Sequence, residues 1–302
     1  MPHQYIVPNI WCQGNAEEVG RFYSEVLPDT TSEVAARYPE TGLLDFQQDF
    51  AGLPLMVTVT VRDFRLSLIN AGQEFAPNPA ISFFLMFGPV GFGGPEGARE
   101  ALDRVWAGLA DGGEVLMPLQ QYPFSERYGW VQDRFGVSWQ LGLFDEDGAD
   151  PPFVMPALLF GGPAQNRAVE ARAKYAAVFG DDFEAGDAFP YGEQTGPATP
   201  DALMYSEFRI KGVPFTAMDS GVEQDFSFTS GVSLEVHCAD QAEIDRLWEG
   251  LSAAPEAEQC GWLADEFGVS WQIVPANMGE LMEHPGAFER MLQMKKIVID
   301  EL

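Results

Sequence analysis

A long internal repeat constrains the fold of this chain more than any other sequence feature. Residues 129–140 read GWVQDRFGVSWQ and residues 261–272 read GWLADEFGVSWQ, so nine of these twelve positions are identical. Two further pairs of segments match upstream in the same order, 102–109 with 244–251 and 7–11 with 155–159. Because self-similarity of this kind marks duplicated structural units, the sequence predicts two copies of one domain.

The repeat also sets the expected domain boundaries. We expect a first domain at 1–146, an acidic linker at 147–151, a second domain at 152–276 and a helical tail at 277–302. The linker region is rich in Asp, Glu, Gly and Pro, a composition typical of a connection between domains.

Within each half, a strand–helix–strands pattern occurs twice. For the first half, hydrophobic periodicity predicts strand 5–12, helix 16–27, strands 55–62 and 64–70, strand 80–87, a helix that stops at 112–113, and strands 130–133 and 138–143. The whole chain is therefore expected to contain four such units in an α+β fold.

The charge balance excludes several classes of partner. The chain has 17 Lys and Arg against 46 Asp and Glu, a net charge of −29, which disfavours binding to nucleic acids and to anionic membranes. With 46% hydrophobic residues, the chain is expected to fold around a large core under an acidic surface. The N-terminal residues lack the pattern of a signal peptide, and three cysteines without a CxxC pair favour neither a disulfide framework nor a zinc ribbon, so we expect a cytoplasmic protein.

The repeated motif resembles a known family. Its Gly-Trp-x-x-Asp-x-Phe-Gly-Val-Ser-Trp-Gln pattern, after a helix with Asp-Arg-x-Trp, resembles the PhnB-like branch of the vicinal oxygen chelate superfamily, which also includes glyoxalase I, bleomycin-resistance proteins and extradiol dioxygenases. The resemblance implies a tandem duplication in which each half is built from two βαβββ modules that form a curved mixed sheet around a cup. Single-domain relatives usually dimerise, so the resemblance also implies an intramolecular pseudo-dimer and leaves a further homodimer open.

Some relatives carry the name 3-demethylubiquinone 3-methyltransferase. A conventional S-adenosylmethionine site uses a glycine-rich turn between a strand and a helix. Residues 88–97 (GPVGFGGPEG) match this weakly, because two prolines interrupt them and the second half has no glycines at 239–240. We interpret the segment as a connecting loop and do not expect a conventional methyltransferase.

Enzymes of this superfamily hold a divalent metal with His, Gln or Glu side chains on the first and last strand of each module. The corresponding positions fall on or next to Val7, Leu68, Ser82, Gln140, Met155, Ala217, Ser233 and Gln272. This set lacks anionic and imidazole donors, so we expect no family-type metal and no cofactor. A metal-dependent lyase, isomerase or dioxygenase with a different ligand set remains the alternative.

Strand alternation predicts what the cups contain instead. The second cup is expected to hold Asp219, Ser233, Glu235, His237 and Gln272, and the first Asn70, Ser82, Phe84, Met86 and Gln140. Glu235, His237 and Asp219 are the candidate catalytic residues, because a carboxylate near a histidine can transfer protons; a merely hydrogen-bonded polar patch is the other interpretation. The candidate ligand-binding residues are Gln140, Gln272, Trp130, Trp262, Ser82, Ser233 and Phe84.

Two segments differ from the repeat. Residues 113–128 make the first copy about ten residues longer and carry Phe124 and Arg127, which suits either a lid or a contact with the other half. The tail helix would place Phe288, Met291 and Ile299 on one side, as expected for docking on the body or on a second chain.

The functional hypothesis is a PhnB-like protein that binds a small organic molecule without the usual metal. Besides a metal-dependent enzyme, a protein that sequesters a drug without turnover is the remaining alternative.

Overall fold

The computed structural model describes residues 4–43, 45–144 and 150–302, so positions 147–149 of the expected linker lie outside the described residues. The strands are β1 Ile6–Cys12, β2 Thr30–Arg37, β3 Pro54–Val61, β4 Phe64–Asn70, β5 Ile81–Phe87, β6 Glu114–Tyr122, β7 Ser125–Gln132, β8 Ser138–Leu143, β9 Val154–Phe160, β10 Phe183–Pro190, β11 Leu203–Ile210, β12 Val213–Asp219, β13 Val232–Cys238, β14 Trp262–Ala264 and β15 Ser270–Pro275. The α-helices are α1 Ala16–Val26, α2 Pro95–Ala110, α3 Ala168–Phe179, α4 Gln241–Leu251, α5 Met278–Leu281 and α6 Ala287–Leu292.

These strands form two mixed sheets. Sheet A has the order β14-β15-β13-β1-β4-β3-β2, and sheet B has the order β10-β11-β12-β9-β5-β8-β7-β6. The α+β class and the tandem duplication are thereby confirmed.

The two modules of one half contribute to different sheets, which corrects the expectation that each half encloses its own cup. Sheet A joins the first module of half one to the last module of half two, where β1 pairs antiparallel with β13. Sheet B joins the two remaining modules through the antiparallel pair β5 and β9. The physical reason is that α1 packs on α2 and α3 packs on α4, so the helices of one half lie between the two sheets. The free edge of each first strand is then left to pair with a strand of the other half.

One hydrophobic core fills the space between the helix-bearing faces. In each copy, a buried aspartate of the repeated motif accepts four hydrogen bonds within this core. In half one, Asp133 is 3% exposed and accepts four hydrogen bonds. The donors are Tyr23 Oη, Trp139 Nε1 and the backbone N–H groups of Phe135 and Val137. In half two, Asp265 accepts the corresponding four bonds from Tyr175, Trp271, Phe267 and Val269. Burial raises the pKa of each carboxyl group, and the donors oppose that rise.

The hydrogen bonds of this buried aspartate explain why the repeated motif is so similar in the two copies. The tryptophans Trp139 and Trp271 are fully buried on the helix-bearing faces, as strand alternation predicts. Each lies against the tyrosine that shares its aspartate, with ring centroids 5.2 and 5.4 Å apart.

Several elements differ from the sequence expectation. Strand β2 was not predicted, because it is an exposed edge strand without apolar alternation. The extra residues of half one form the hairpin of β6 and β7, which contacts its own half: Arg127 pairs with Asp103, and Tyr128 packs on Phe84.

The α-helical part of the tail ends at Leu292 and only a short 3-10 turn at Ile299–Glu301 follows, so the prediction of a continuous closing helix is wrong beyond Leu292. Its next residues run beside the segment just before β14, where the Cys260 N–H donates to Met294 O at 2.8 Å and the Gly261 N–H donates to Lys295 O at 2.7 Å. The outer edge of β14 itself is covered by residues 253–259: the Ala253 N–H donates to Ala264 O, and Gln259 and Trp262 exchange two backbone hydrogen bonds. Ile297 of the tail is fully buried.

Replacing Asp133 with Ala is expected to lower the free energy of unfolding by about 3–5 kcal/mol, because four donors would remain in or near the core without their acceptor. Urea unfolding followed by circular dichroism measures the change. Asp63→Ala, at an exposed turn, is the control and should stay within about 0.5 kcal/mol. A loss of less than about 1 kcal/mol for Asp133→Ala would contradict the structural role given to it.

The pairing between halves predicts that fragments 1–147 and 148–302, produced together, purify as a 1:1 complex. Both sheets contain strands from both fragments, so neither fragment alone can complete a sheet. Size-exclusion chromatography with light scattering measures the masses of the separate and combined fragments. Two monomeric folded fragments that do not associate would refute this arrangement.

Candidate functional site

The candidate site lies on the inner face of sheet A, which we define as the face opposite the helices. Strand pairing places Asn9 on β1 between Ser67 on β4 and Ser233 on β13. We call these three residues the Asn9 row. The row combines both halves of the chain, since Ser233 belongs to the second copy and the other two belong to the first.

Glu235 and His237 lie on the same face of β13 as Ser233. The distance between His237 Nε2 and Glu235 Oε1 is 2.6 Å, and the two side chains are 15% and 14% exposed. Glu235 is opposite Val7 on one side and Gln272 on the other. The structure therefore brings together two of the three predicted catalytic residues, in a position where a proton can move between them.

Asp219, the third predicted catalytic residue, is not part of this group. It lies on β12 in sheet B, where its carboxylate accepts hydrogen bonds from the backbone N–H groups of Ala168 and Leu203. Burial raises the pKa of Asp219, and the backbone donors oppose the rise. Asn70 occupies the matching place in half one and accepts from the Ala16 N–H. Both side chains fix the start of a helix, which explains why sequence alternation alone misplaced them in the cups.

The two predicted glutamines lie at equivalent positions of the two sheets. Each donates to a serine, but only Gln140 has a second partner. Gln272 Nε2 donates to Ser233 Oγ at 2.8 Å, and Gln140 Nε2 donates to Ser82 Oγ at 2.8 Å. Gln140 Oε1 also accepts from Tyr128 Oη at 2.6 Å. Within the described part of the chain, Gln272 Oε1 accepts from no donor, because Cys260 stands where half one has Tyr128.

Asn9 is the most unusual polar residue of the face. It is 1% exposed, and neither Oδ1 nor Nδ2 has a hydrogen-bond partner among the described residues. Ser67 Oγ beside it is also buried without a partner. Leaving a buried polar group unpaired costs about 1–3 kcal/mol, so the folded chain carries an uncompensated cost at this position. In sheet B the residue that matches Asn9 is Ala157.

Two indole rings lean over this face. Trp11 on β1 and Trp262 on β14 are three strands apart, and by register Trp262 is level with Val7, four residues from Trp11 along β1. Their ring centroids are nevertheless separated by only 6.1 Å. Phe75 packs on Trp11 at 5.0 Å, and Trp11 Nε1 donates to Gly72 O at 2.8 Å. We call Trp11, Trp262 and Phe75 the aromatic roof.

The inner face of sheet B is less polar, and its aromatic residues form a different cluster, made of Phe84, Tyr122, Phe124 and Tyr128. Phe84 and Met86 replace Glu235 and His237, and Trp130 Nε1 is used by Ser138 Oγ at 2.7 Å. A cavity of about 140 Å³ opens at the other end of this face, lined by Pro151, Pro152, Met155, Glu184, Ala185, Gly186, Glu207, Phe208, Arg209, Pro214 and Phe215. Of the predicted residues on this face, Ser82 and Gln140 are hydrogen-bonded to each other, Trp130 is hydrogen-bonded to Ser138, and Phe84 packs on Tyr128.

Sequence reasoning missed Asn9, Ser67 and Trp11. Alternation from Val7 along the first strand points to Asn9 and Trp11, but only the pairing of β1 with β13 brings them next to Glu235.

No helix of the described residues is long and apolar enough to cross a membrane.

Comparisons with known proteins agree with this architecture. A family model described as 3-demethylubiquinone-9 3-methyltransferase matches residues 4–142 and 152–274. The solved PhnB protein from Bacillus cereus is 30% identical, with 47% of this chain and 100% of that chain covered and a TM-score of 0.39. A protein from Pseudomonas aeruginosa is 24% identical, with 48% and 100% covered and a TM-score of 0.38.

One similar structure extends over both halves. Glyoxalase I from Zea mays covers 93% of this chain and 95% of its own length, with 9% identity and a TM-score of 0.52, which shows a shared fold. A search of curated proteins finds no match.

Replacing Asn9 with Leu is expected to leave the free energy of unfolding unchanged or to raise it by about 1 kcal/mol, because the substitution removes a buried polar group that has no partner. Chemical denaturation of the purified variant measures the change. Asn70→Leu is the matched control. Both Oδ1 and Nδ2 of Asn70 are hydrogen-bonded, so the free energy of unfolding of this variant should fall by about 2–4 kcal/mol. A loss above about 1 kcal/mol for Asn9→Leu would show that Asn9 supports the fold.

Proposed function

The chain belongs to the 3-demethylubiquinone-9 3-methyltransferase family, and we propose that it binds a small organic molecule on the inner face of sheet A. Its resemblance to the PhnB-like branch of the vicinal oxygen chelate superfamily is confirmed by the family match and by the shared glyoxalase I fold. The observation that carries the proposal is the unpartnered, buried amide of Asn9 on a face that also holds Glu235 and His237.

Each group on this face has a definite role in the proposal. Asn9, Ser67 and Gln272 Oε1 supply hydrogen bonds that fix the orientation of the ligand. The aromatic roof supplies apolar contact and excludes water, which strengthens those hydrogen bonds.

The pair of Glu235 and His237 gives the site its chemical capacity. At 2.6 Å, Glu235 Oε1 and His237 Nε2 can share one proton, so the pair can accept a proton from a bound ligand and return it. This is the chemistry of proton transfer or tautomerisation; without a reactive ligand the same groups act only in binding.

Methyl transfer from S-adenosylmethionine does not fit the residues present. The glycine-rich loop before α2 is occupied by the chain itself, since Asp150 accepts hydrogen bonds from the N–H groups of Val90 and Gly91. The backbone donors that would approach a cofactor are thus already used by a carboxylate of the chain.

A transition metal of the superfamily type does not fit either. The structure joins Val7 with Glu235 and Gln272, so one carboxylate and one neighbouring imidazole are the strong donors at the expected positions on this face. Among the described residues, no group of three or more His, Cys, Asp or Glu side chains is close enough to hold a metal. We therefore propose binding that depends on hydrogen bonds and aromatic contacts.

A thermal-shift screen of 2-oxo acids, thiol conjugates, aromatic amides and glycopeptide drugs tests the proposal, because a ligand of the folded state raises its apparent stability. We expect hits whose affinity, measured by titration calorimetry, falls at least tenfold in Asn9→Leu and in Glu235→Gln. Phe84→Leu changes the position in sheet B that matches Glu235 and should leave the affinity unchanged.

Two results would contradict the proposal. Hits that lose affinity in Phe84→Leu but not in the sheet A variants would place the site on sheet B. A stoichiometric, tightly held transition metal in the purified protein, lost in Glu235→Gln, would favour the metal-dependent alternative.

If a hit is also converted, turnover should be lost in Glu235→Gln and His237→Gln beyond any loss of binding.

A further inference from the structure

The chemistry of the Asn9 row narrows the class of ligand. Asn9 presents one acceptor, Oδ1, and one donor, Nδ2, and both are buried without a partner among the described residues. A ligand that satisfies only one of the two atoms leaves the other desolvated at a cost of about 1–3 kcal/mol. The best complement therefore has a donor and an acceptor side by side.

We propose, on the basis of the proposed function, that the ligand carries an uncharged cyclic amide, an N–H next to a C=O, that pairs with both atoms of Asn9. The ligand N–H donates to Oδ1, and the ligand carbonyl oxygen accepts from Nδ2. This arrangement forms two parallel hydrogen bonds and leaves no polar atom of Asn9 unpaired.

Charged alternatives fit the row less well. A carboxylate has no donor for Oδ1 and would lie within about 8 Å of Glu235, which is diagonal to Asn9 across β1 and β13. An amidinium has two donors and no acceptor for Nδ2. Ser67 Oγ beside Asn9 can either donate or accept, so it supports an amide without selecting against other groups.

The aromatic roof favours a planar frame for that amide. The rings of Trp11 and Trp262 contact each other edge to face, with their planes inclined by 75°, so a flat ligand on this face would pack against an exposed indole face rather than between the rings. Ile69 and Met56, on the strands beyond Asn9, continue the apolar surface of this face. The class is thus a planar aromatic lactam.

Three probes of similar shape test the class: 2-quinolone, N-methyl-2-quinolone and quinoline-2-carboxylate. We expect 2-quinolone to bind the full-length protein and the other two probes to bind at least tenfold more weakly, measured by titration calorimetry. In Asn9→Leu, the tenfold preference for 2-quinolone over its N-methyl analogue should disappear, whereas Phe84→Leu should keep it.

The outcomes separate this inference from the function on which it rests. Equal or tighter binding of the N-methyl or carboxylate probe, still weakened by Asn9→Leu, would overturn the lactam class and leave the binding site on sheet A in place. Screen hits that bind this face but all lack an amide N–H next to a carbonyl would also overturn the class. If no probe binds and no screen hit responds to Asn9→Leu or Glu235→Gln, both proposals fail.

Discussion

Pairing between the first strands of different halves is the interaction on which this structure depends. The contacts of β1 with β13 and of β5 with β9 join four modules into two continuous sheets. They also fill the central edges of both sheets, where unpaired backbone groups would be costly. The candidate site exists only because of this pairing: Asn9 and Glu235 are 226 positions apart in the chain, yet they lie on neighbouring strands.

The repeat and the hydrophobic periodicity together were enough to predict a duplicated α+β fold and most strands of the first half. The repeated motif is informative because its residues are held together by one buried aspartate. Its aspartate, its second tryptophan and its Phe-Gly-Val turn are the parts that Asp133 and Asp265 hold together in the core. The repeat says nothing about which copy of a module shares a sheet with which, since both arrangements satisfy the same local pattern. That choice depends on how the helices pack between the sheets, and it is the reason why Asn9 was overlooked. Asp219 was misassigned because its side of β12 faces the helices, where it fixes the start of α3.

The two inner faces show how duplicated units can acquire different chemistry on one scaffold. Gln140 and Gln272 keep the same bond to a serine, so the framework around them is common. The residues that differ are those whose side chains reach into the face: Ala157 for Asn9, Phe84 for Glu235 and Met86 for His237. In sheet B the glutamine is fully paired and Thr216 keeps one buried hydroxyl without a partner among the described residues, whereas sheet A keeps both atoms of the Asn9 amide and the Ser67 hydroxyl in that state. In such a pair, one sheet can provide stability while the other tolerates the energetic cost of a binding site.

The segments that lie against the outer edge of β14 and against the residues before it, among them the C-terminal tail, have a consequence for the behaviour of the protein in concentrated solution. A short strand of only three residues, carrying the roof residue Trp262, would otherwise present open amide groups at the margin of sheet A. Exposed margins of this kind recruit strands from other molecules and start aggregation. Gln259 and Ala253 bond to the outer backbone groups of Trp262 and Ala264, and the tail accepts from the two residues just before β14, so the chain makes its own protective cover.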